Sequence, residues 1–201
     1  VHFQPRTITL NDGRAALLRN ATPDDAEAFC DHGRAVQATT DYVVTQPDEM
    51  RGPDETRERF TDLLARPGAL ILLALPSNPS EAEARAGGQS EGGVVGDCML
   101  VPWAERKMAH VAGIGMGLRE DWRSAGLGTA LLRAVVDHAR AHPALLRLEL
   151  GFYAENEPAR RLYTRLGFVV EGTRPSRFQK RPGEFSDEVI MSLDVSAPEQ
   201  R

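Results

Sequence analysis

The sequence predicts an α+β fold built around one mixed sheet, and three observations carry that prediction. A short apolar run at residues 69–75, set between Pro67-Gly68 and Pro76, has the composition of a buried strand. Residues 126–141 place Leu127, Leu131, Val135 and Ala139 at every fourth position, widened by Leu132 and Val136, which is a helix with one buried face. Strand-like segments arrive both in direct succession and separated by helices, so hairpins are mixed with strand–helix–strand crossovers.

Taken in order, residues 1–12 read as an N-terminal tail and residues 15–19 as a first strand opened by Asp12-Gly13. Thr22-Pro23-Asp24-Asp25 begins a helix, with threonine to cap, proline in the first turn and two acids at the positive helix end. That helix runs on through Ala26, Phe29 and Cys30. A second starts near Pro53, turns Phe60, Leu63 and Leu64 inward, and stops at Arg66-Pro67-Gly68. After the strand at 69–75, residues 76–93 are rich in Pro, Ser, Glu, Ala and Gly and read as a mobile loop. Strands follow at 94–101 and 108–118, with a turn at Trp103-Ala104-Glu105-Arg106 between them. The amphipathic helix at 126–141, a strand at 145–150, a helix at 156–166 stopped by Gly167, and strands at 168–171 and 188–193 complete one domain over residues 13–194. Residues 195–201 read as a C-terminal tail.

Composition narrows the function. The chain has 201 residues, 41% of them apolar, enough to build one full core. Its formal net charge of -5 is not the basic footprint of a nucleic-acid binder. Cys30 and Cys98 are far apart and no Cys/His cluster has ligand spacing, so neither a disulfide framework nor a metal is expected. The longest apolar run, 69–75, is too short to cross a bilayer, and residues 1–10 do not look like a secretory signal. A cytoplasmic protein with no membrane partner is the expectation.

The chemically informative segment is Arg123-Ser124-Ala125-Gly126-Leu127-Gly128-Thr129, lying between a strand and the amphipathic helix. A helix start offers unpaired N–H groups and a partial positive charge, which together can cradle a pyrophosphate. Gly126 and Gly128 would let phosphates approach the backbone, and Arg123 would add charge. A P-loop is excluded because no lysine follows Gly128, and a dinucleotide fingerprint because position 131 is leucine. A plain tight turn is the alternative. In the preceding strand, Gly113, Gly115 and Gly117 share one face, as they would if something lay close against it or if another element packed there.

Arg123-x-x-Gly126-x-Gly128, followed by Asn156-x-x-Ala159-x-x-Leu162-Tyr163-x-x-x-Gly167-Phe168, resembles the paired signatures of the GNAT N-acetyltransferases. The resemblance spans residues 14–193 and is strongest over 111–173. It implies a mostly antiparallel sheet of six to seven strands with about four helices, whose two central parallel strands splay apart to admit acetyl-CoA. Met116, Gly117 and Leu118 would pair with the pantetheine arm and supply an amide for the developing oxyanion. Residues Arg123, Ser124, Ala125, Gly126, Leu127, Gly128 and Thr129 would hold the pyrophosphate. Asn156 would lie beside the arm, although as a residue it also suits a helix cap. Tyr163 would be the acid that protonates the leaving thiolate. A phenol near ~10 is protonated at neutral pH and a thiol lies near ~8.5, so the donation is chemically reasonable. Without the resemblance, a core position beside Ala159, Leu162 and Leu166 is the favoured reading of Tyr163.

The sequence departs from many relatives in carrying no carboxylate at Ala112 or Gly113, where a general base is expected. Glu149, His110 and Glu155 are the substitutes on offer. The missing carboxylate points towards an α-amine acceptor, since an α-amine near ~7.7–8 is partly neutral at physiological pH and a lysine near ~10.4 is not. The segment from Gly172 to Met191 is similar to the branch that holds bacterial amino-acid and ribosomal-protein N-acetyltransferases, with Phe185 where relatives often carry tyrosine. Arg174, Arg177, Lys180 and Arg181 would attract a substrate carboxylate or form a solvated loop. The expected activity is acetyl transfer to a small amine, an amino acid first. A protein N-terminus as acceptor, or a non-catalytic acetyl-CoA-binding module, is the alternative. Relatives of this kind often form homodimers.

Overall fold

The computed structural model describes residues 3–77 and 93–196. Strands β1 (Arg6–Thr9) and β2 (Ala15–Asn20) lead to helices α1 (Ala26–Gln37) and α2 (Pro53–Leu64). Then come β3 (Leu70–Ser77), β4 (Gly96–Pro102), β5 (Val111–Leu118), α3 (Leu127–Arg140), β6 (Arg147–Tyr153), α4 (Glu157–Arg165), β7 (Val169–Arg181) and β8 (Glu184–Asp194). The strands form one sheet in the order β1-β2-β3-β4-β5-β6-β8-β7. Every neighbouring pair is antiparallel except β5 and β6, which α3 joins as a crossover.

The sheet separates two cores. Leu70, Leu72 and Ala74 of β3 pack with the apolar stripe of α3, where Leu127, Leu131, Leu132, Val135 and Ala139 are all nearly inaccessible. Ile71, Leu73 and Leu75 point the other way and pack with Phe60 and Leu63 of α2. A strand covered on both faces must be apolar at every position, which is why residues 69–75 read as an unbroken run.

Three readings from sequence change. Residues 6–9 are not tail but β1, paired with β2 at Thr7↔Leu17, so the sheet has eight strands rather than six or seven. The segment Arg-Thr-Ile-Thr is too short and polar to show a strand period. At the other end Val195 is only 2% exposed, and its amide donates to the Leu146 carbonyl at 2.9 Å. Residues 174–181, read as a basic solvated segment, continue β7 into a long hairpin with β8 whose turn places Gly183 at φ 82°. Most of the loop read at 76–93 lies outside the described residues, as does most of the tail read at 195–201.

Candidate active site

The parallel strands β5 and β6 pair only at Val111↔Arg147, Ala112↔Leu148 and Gly113↔Glu149. Beyond Gly113, β5 stays bonded to β4 on its other edge as far as Leu118, while β6 follows β8 as far as Tyr153. The two strands therefore diverge, and the β6-facing edge of residues 114–118 has no partner strand among the described residues.

At the end of β5 the chain turns through Glu120–Trp122, with Trp122 buried, and reaches α3 by way of two left-handed residues, Ser124 (φ 62°) and Gly126 (φ 93°). Gly126 caps α3, and the carbonyl of this cap receives the Ala130 amide at 3.1 Å. The amides of Leu127, Gly128 and Thr129 belong to the first turn, which lacks intrahelical acceptors. The turn is anchored from outside, since the Asn11 amide donates to the Ala125 carbonyl at 3.0 Å. Gly128 is a glycine for space. A Cβ there would stand 3.1 Å from Leu118 Cδ1 and 3.4 Å from Leu162 Cδ2, so α3 starts tightly against β5 and α4. Arg123 is committed to the protein itself. Its Nε donates to the Leu118 carbonyl at 3.1 Å, and its Nη atoms donate to Thr39 O at 3.3 Å and Thr39 Oγ1 at 2.8 Å. The guanidinium thus clamps the end of β5 to the turn that follows α1.

Tyr163 is half-buried on α4, its ring 5.5 Å from that of Phe152 and 5.9 Å from that of Phe168. Burial, helped by the neighbouring Cys98, pushes its phenol well above the ordinary tyrosine range. The group is held protonated and can only donate a proton under pull. Asn156 caps α4, its Oδ1 accepting from the Ala159 amide at 3.1 Å. Asn156→Ala is expected to lower stability by about 1 kcal/mol, measured from the denaturant midpoint.

Met116 and Leu118 pack into the α3 core, so by strand alternation Gly113, Gly115 and Gly117 look out on the opposite face. A Cβ on Gly115 would meet nothing within 4 Å, and both Gly115 and Gly151 are exposed. The Gly113↔Glu149 register sets those two glycines level with each other across the divergence. They floor an open cleft. At its β4 side, Asp97 lies over Gly117, where a Cβ would come within 2.7 Å of Asp97 Oδ1 and 3.3 Å of His32 Nε2. At its β8 side, the Glu188 carboxylate lies over Gly151. Glu188 is bonded to Arg174 at 3.0 Å and paired with Arg177 at 3.6 Å. Tyr153 stacks on Phe178 at 4.0 Å, with Tyr42 at 5.7 Å.

Of the three bases read from sequence, Glu149 and Glu155 are held in hydrogen bonds and ion pairs, while His110 stands on the surface. Glu149 is bonded to Arg147 at 2.8 Å. Glu155 accepts from Ser186 Oγ at 2.5 Å and pairs with Lys180 at 3.7 Å; the serine first, then the lysine, holds its carboxyl below the usual range. His110 lies exposed in the turn before β5. Phe185 is 54% exposed on β8. Sequence reasoning missed Asp97 and His32, although a lone carboxylate in the apolar strand 94–101 was a signal.

Comparison with known proteins agrees with this geometry. The acetyltransferase (GNAT) domain family matches residues 16–169. An L-amino acid N-acetyltransferase, AaaT of Escherichia coli K12, is 29% identical over 177 residues, covering 88% of this chain and 96% of its own. Among solved structures, a GNAT-family acetyltransferase from Streptococcus pneumoniae superposes with TM-score 0.78 at 23% identity, over 89% of this chain and 99% of that one. A GNAT-superfamily phosphinothricin acetyltransferase from Sinorhizobium meliloti, solved with acetyl-CoA, superposes with TM-score 0.73 at 19% identity, over 90% and 89% respectively.

Proposed function

Given that the chain belongs to the acetyltransferase (GNAT) family and is an N-acetyltransferase, we propose that it transfers acetyl from acetyl-CoA to the amine of a small molecule, an amino acid first of all. The observation that carries the reading is the parting of β5 from β6 directly beside the capped start of α3. An unpaired strand edge and a row of first-turn amides are what an amide-bearing arm ending in a pyrophosphate would need. The residues present fit that group. Gly126 adopts a conformation open to glycine and leaves the turn without a side chain, and Ser124, Ala125, Leu127, Gly128 and Thr129 complete the cradle. Met116, Gly117 and Leu118 line the unpaired edge, and Asn156 caps the helix that carries Tyr163.

Acetyl-CoA supplies an acetyl group activated as a thioester. The backbone of residues 116–118 orients it and offers an amide to the carbonyl oxygen as charge develops there. Tyr163, held protonated by burial, donates to the sulfur as it leaves. Arg123 keeps the end of β5 and the turn in fixed relation through Thr39.

Support for an amino acid as acceptor comes from the cleft over Gly115 and Gly151. Carboxylates at Asp97 and Glu188 suit a cationic amine, and Arg174 and Arg177 beside Glu188 suit a carboxylate. The E. coli relative points the same way. With Asp97 on the neighbouring strand β4, opposite Gly117, the lack of a carboxylate at Ala112 and Gly113 does not by itself select an α-amine. CoA release from acetyl-CoA, followed across the common amino acids, short peptides and polyamines, tests the reading. Turnover greatest on free amino acids is expected. Preference for peptides would move the acceptor to a protein N-terminus, and binding without turnover on any amine would defeat the reading.

A further inference from the structure

We propose that Asp97, positioned by His32, is the proton acceptor for the attacking amine. The inference rests on placing the acceptor in the cleft over Gly115 and Gly151. Asp97 interrupts a strand whose other residues are apolar or glycine up to its closing proline, and its residue is only 7% exposed. A carboxylate in such a place costs stability unless something answers it. The answer is His32, from the middle of α1, whose Nε2 lies 3.0 Å from Asp97 Oδ1.

The two side chains are not equally hidden. His32 keeps 1% of its side-chain surface and Asp97 keeps 10%, so of the two the carboxylate is the one that solvent reaches. His32 Nδ1 is buried and has no partner among the described residues. The economical arrangement is a neutral imidazole donating Nε2–H to Asp97, because a proton on Nδ1 would be buried without an acceptor. The couple then carries one negative charge, directed at the cleft. Gly117 makes the approach possible, since any side chain there would occupy the carboxylate's place. The titratable group facing Asp97 is His32 from α1, and β3 and β5 present Leu73 and Gly117 at its register, whereas the neighbouring Cys98 points to the opposite face, into the α3 core.

The chemistry balances. An acceptor arriving as an ammonium gives one proton to Asp97 and becomes a nucleophile. Its nitrogen–acetyl bond forms as the thioester carbon–sulfur bond breaks. Of the two protons the nitrogen sheds, one leaves to water by way of Asp97 and the other is matched by the proton that Tyr163 gives to sulfur, Tyr163 being reprotonated in turn. Asp97 is thereby a catalytic residue and His32 a positioning one. The carboxylate expected on β5 at Ala112 or Gly113 is replaced from β4, one strand over.

The test uses the full chain and its best amine from the acceptor panel. Asp97→Asn is expected to lower kcat about 10²-fold near neutral pH, in the range for a general base, with CoA affinity by calorimetry unchanged. The deficit should shrink as pH rises past the amine's own pKa, about 7.7–8 for an α-amine, where solvent does the work of Asp97. His32→Gln, which keeps an N–H donor, should lose less than His32→Ala, and both should show the same pH-dependent deficit. A deficit constant across pH, or no deficit, overturns the proposal. Should Asp97→Asn fail to fold, a pH profile of His32→Ala that parallels the wild type overturns it equally. If the best amine proves not to be an amino acid, the acceptor reading fails while the pH-dependent ratio on that amine still decides the role of Asp97.

Discussion

Tyr163→Phe is expected to cut kcat by about 10²-fold or more, the scale of a lost proton donor, while leaving CoA binding intact. The substitution removes one oxygen and nothing else. The ring would still pack between Phe152 and Phe168, so thermal melting should be close to wild type. Because burial holds the phenol protonated, its service is donation, and the sulfur would have to leave as a bare thiolate without it. Steady-state CoA release beside a CoA titration separates the two effects. Turnover within a few-fold of wild type would assign the acid to another group, and loss of CoA binding would make Tyr163 a packing residue of the gap.

The second large effect is expected at Gly126. Gly126→Val should weaken CoA binding by about tenfold or more, equivalent to about 1.4 kcal/mol. The backbone here stands at φ 93°, where a Cβ would also meet the Asn11 side chain at 3.2 Å. Left-handed backbone costs an L-residue roughly 1–2 kcal/mol, and β-branching makes it worse. Relief requires the turn to open, and opening misdirects the amides of 127–129 that the proposed site uses. Isothermal titration with CoA is the measurement, with kcat at saturating acetyl-CoA as its companion. The kcat should change less than the affinity. Undiminished CoA affinity in a folded Gly126→Val protein would remove the α3 turn from the binding site.

Both variants concern residues that the sequence pattern singled out. The stripe of α3, the apolar run of β3 and the glycines at 126 and 128 are local patterns, and each recurs in the structure where the pattern placed it. The failures were of two kinds. β1 and the outer half of β7 are edge strands with polar faces, so burial left no alternation to read. The Asp97–His32 couple joins residues 65 positions apart, and the Arg123–Thr39 clamp joins residues 84 apart. Arg123 was read as a phosphate ligand because its neighbours in sequence are a phosphate-binding pattern; its hydrogen bonds to Leu118 and to Thr39 in the turn after α1 lie beyond what that pattern shows.

What the sequence alone determined is therefore what short-range physics controls. Periodicity selects helix or strand, proline and asparagine set helix starts, and glycine marks where backbone must turn left-handed or stay bare. The tertiary structure alone decided that Asp97 meets His32 beside Gly117. That meeting depends on the register of β4 against β5, which sets Asp97 opposite Gly117, and on the docking of α1, which brings His32 to it. No rule spanning a few residues contains either fact, because both are outcomes of how the whole sheet and its covering helices share one core.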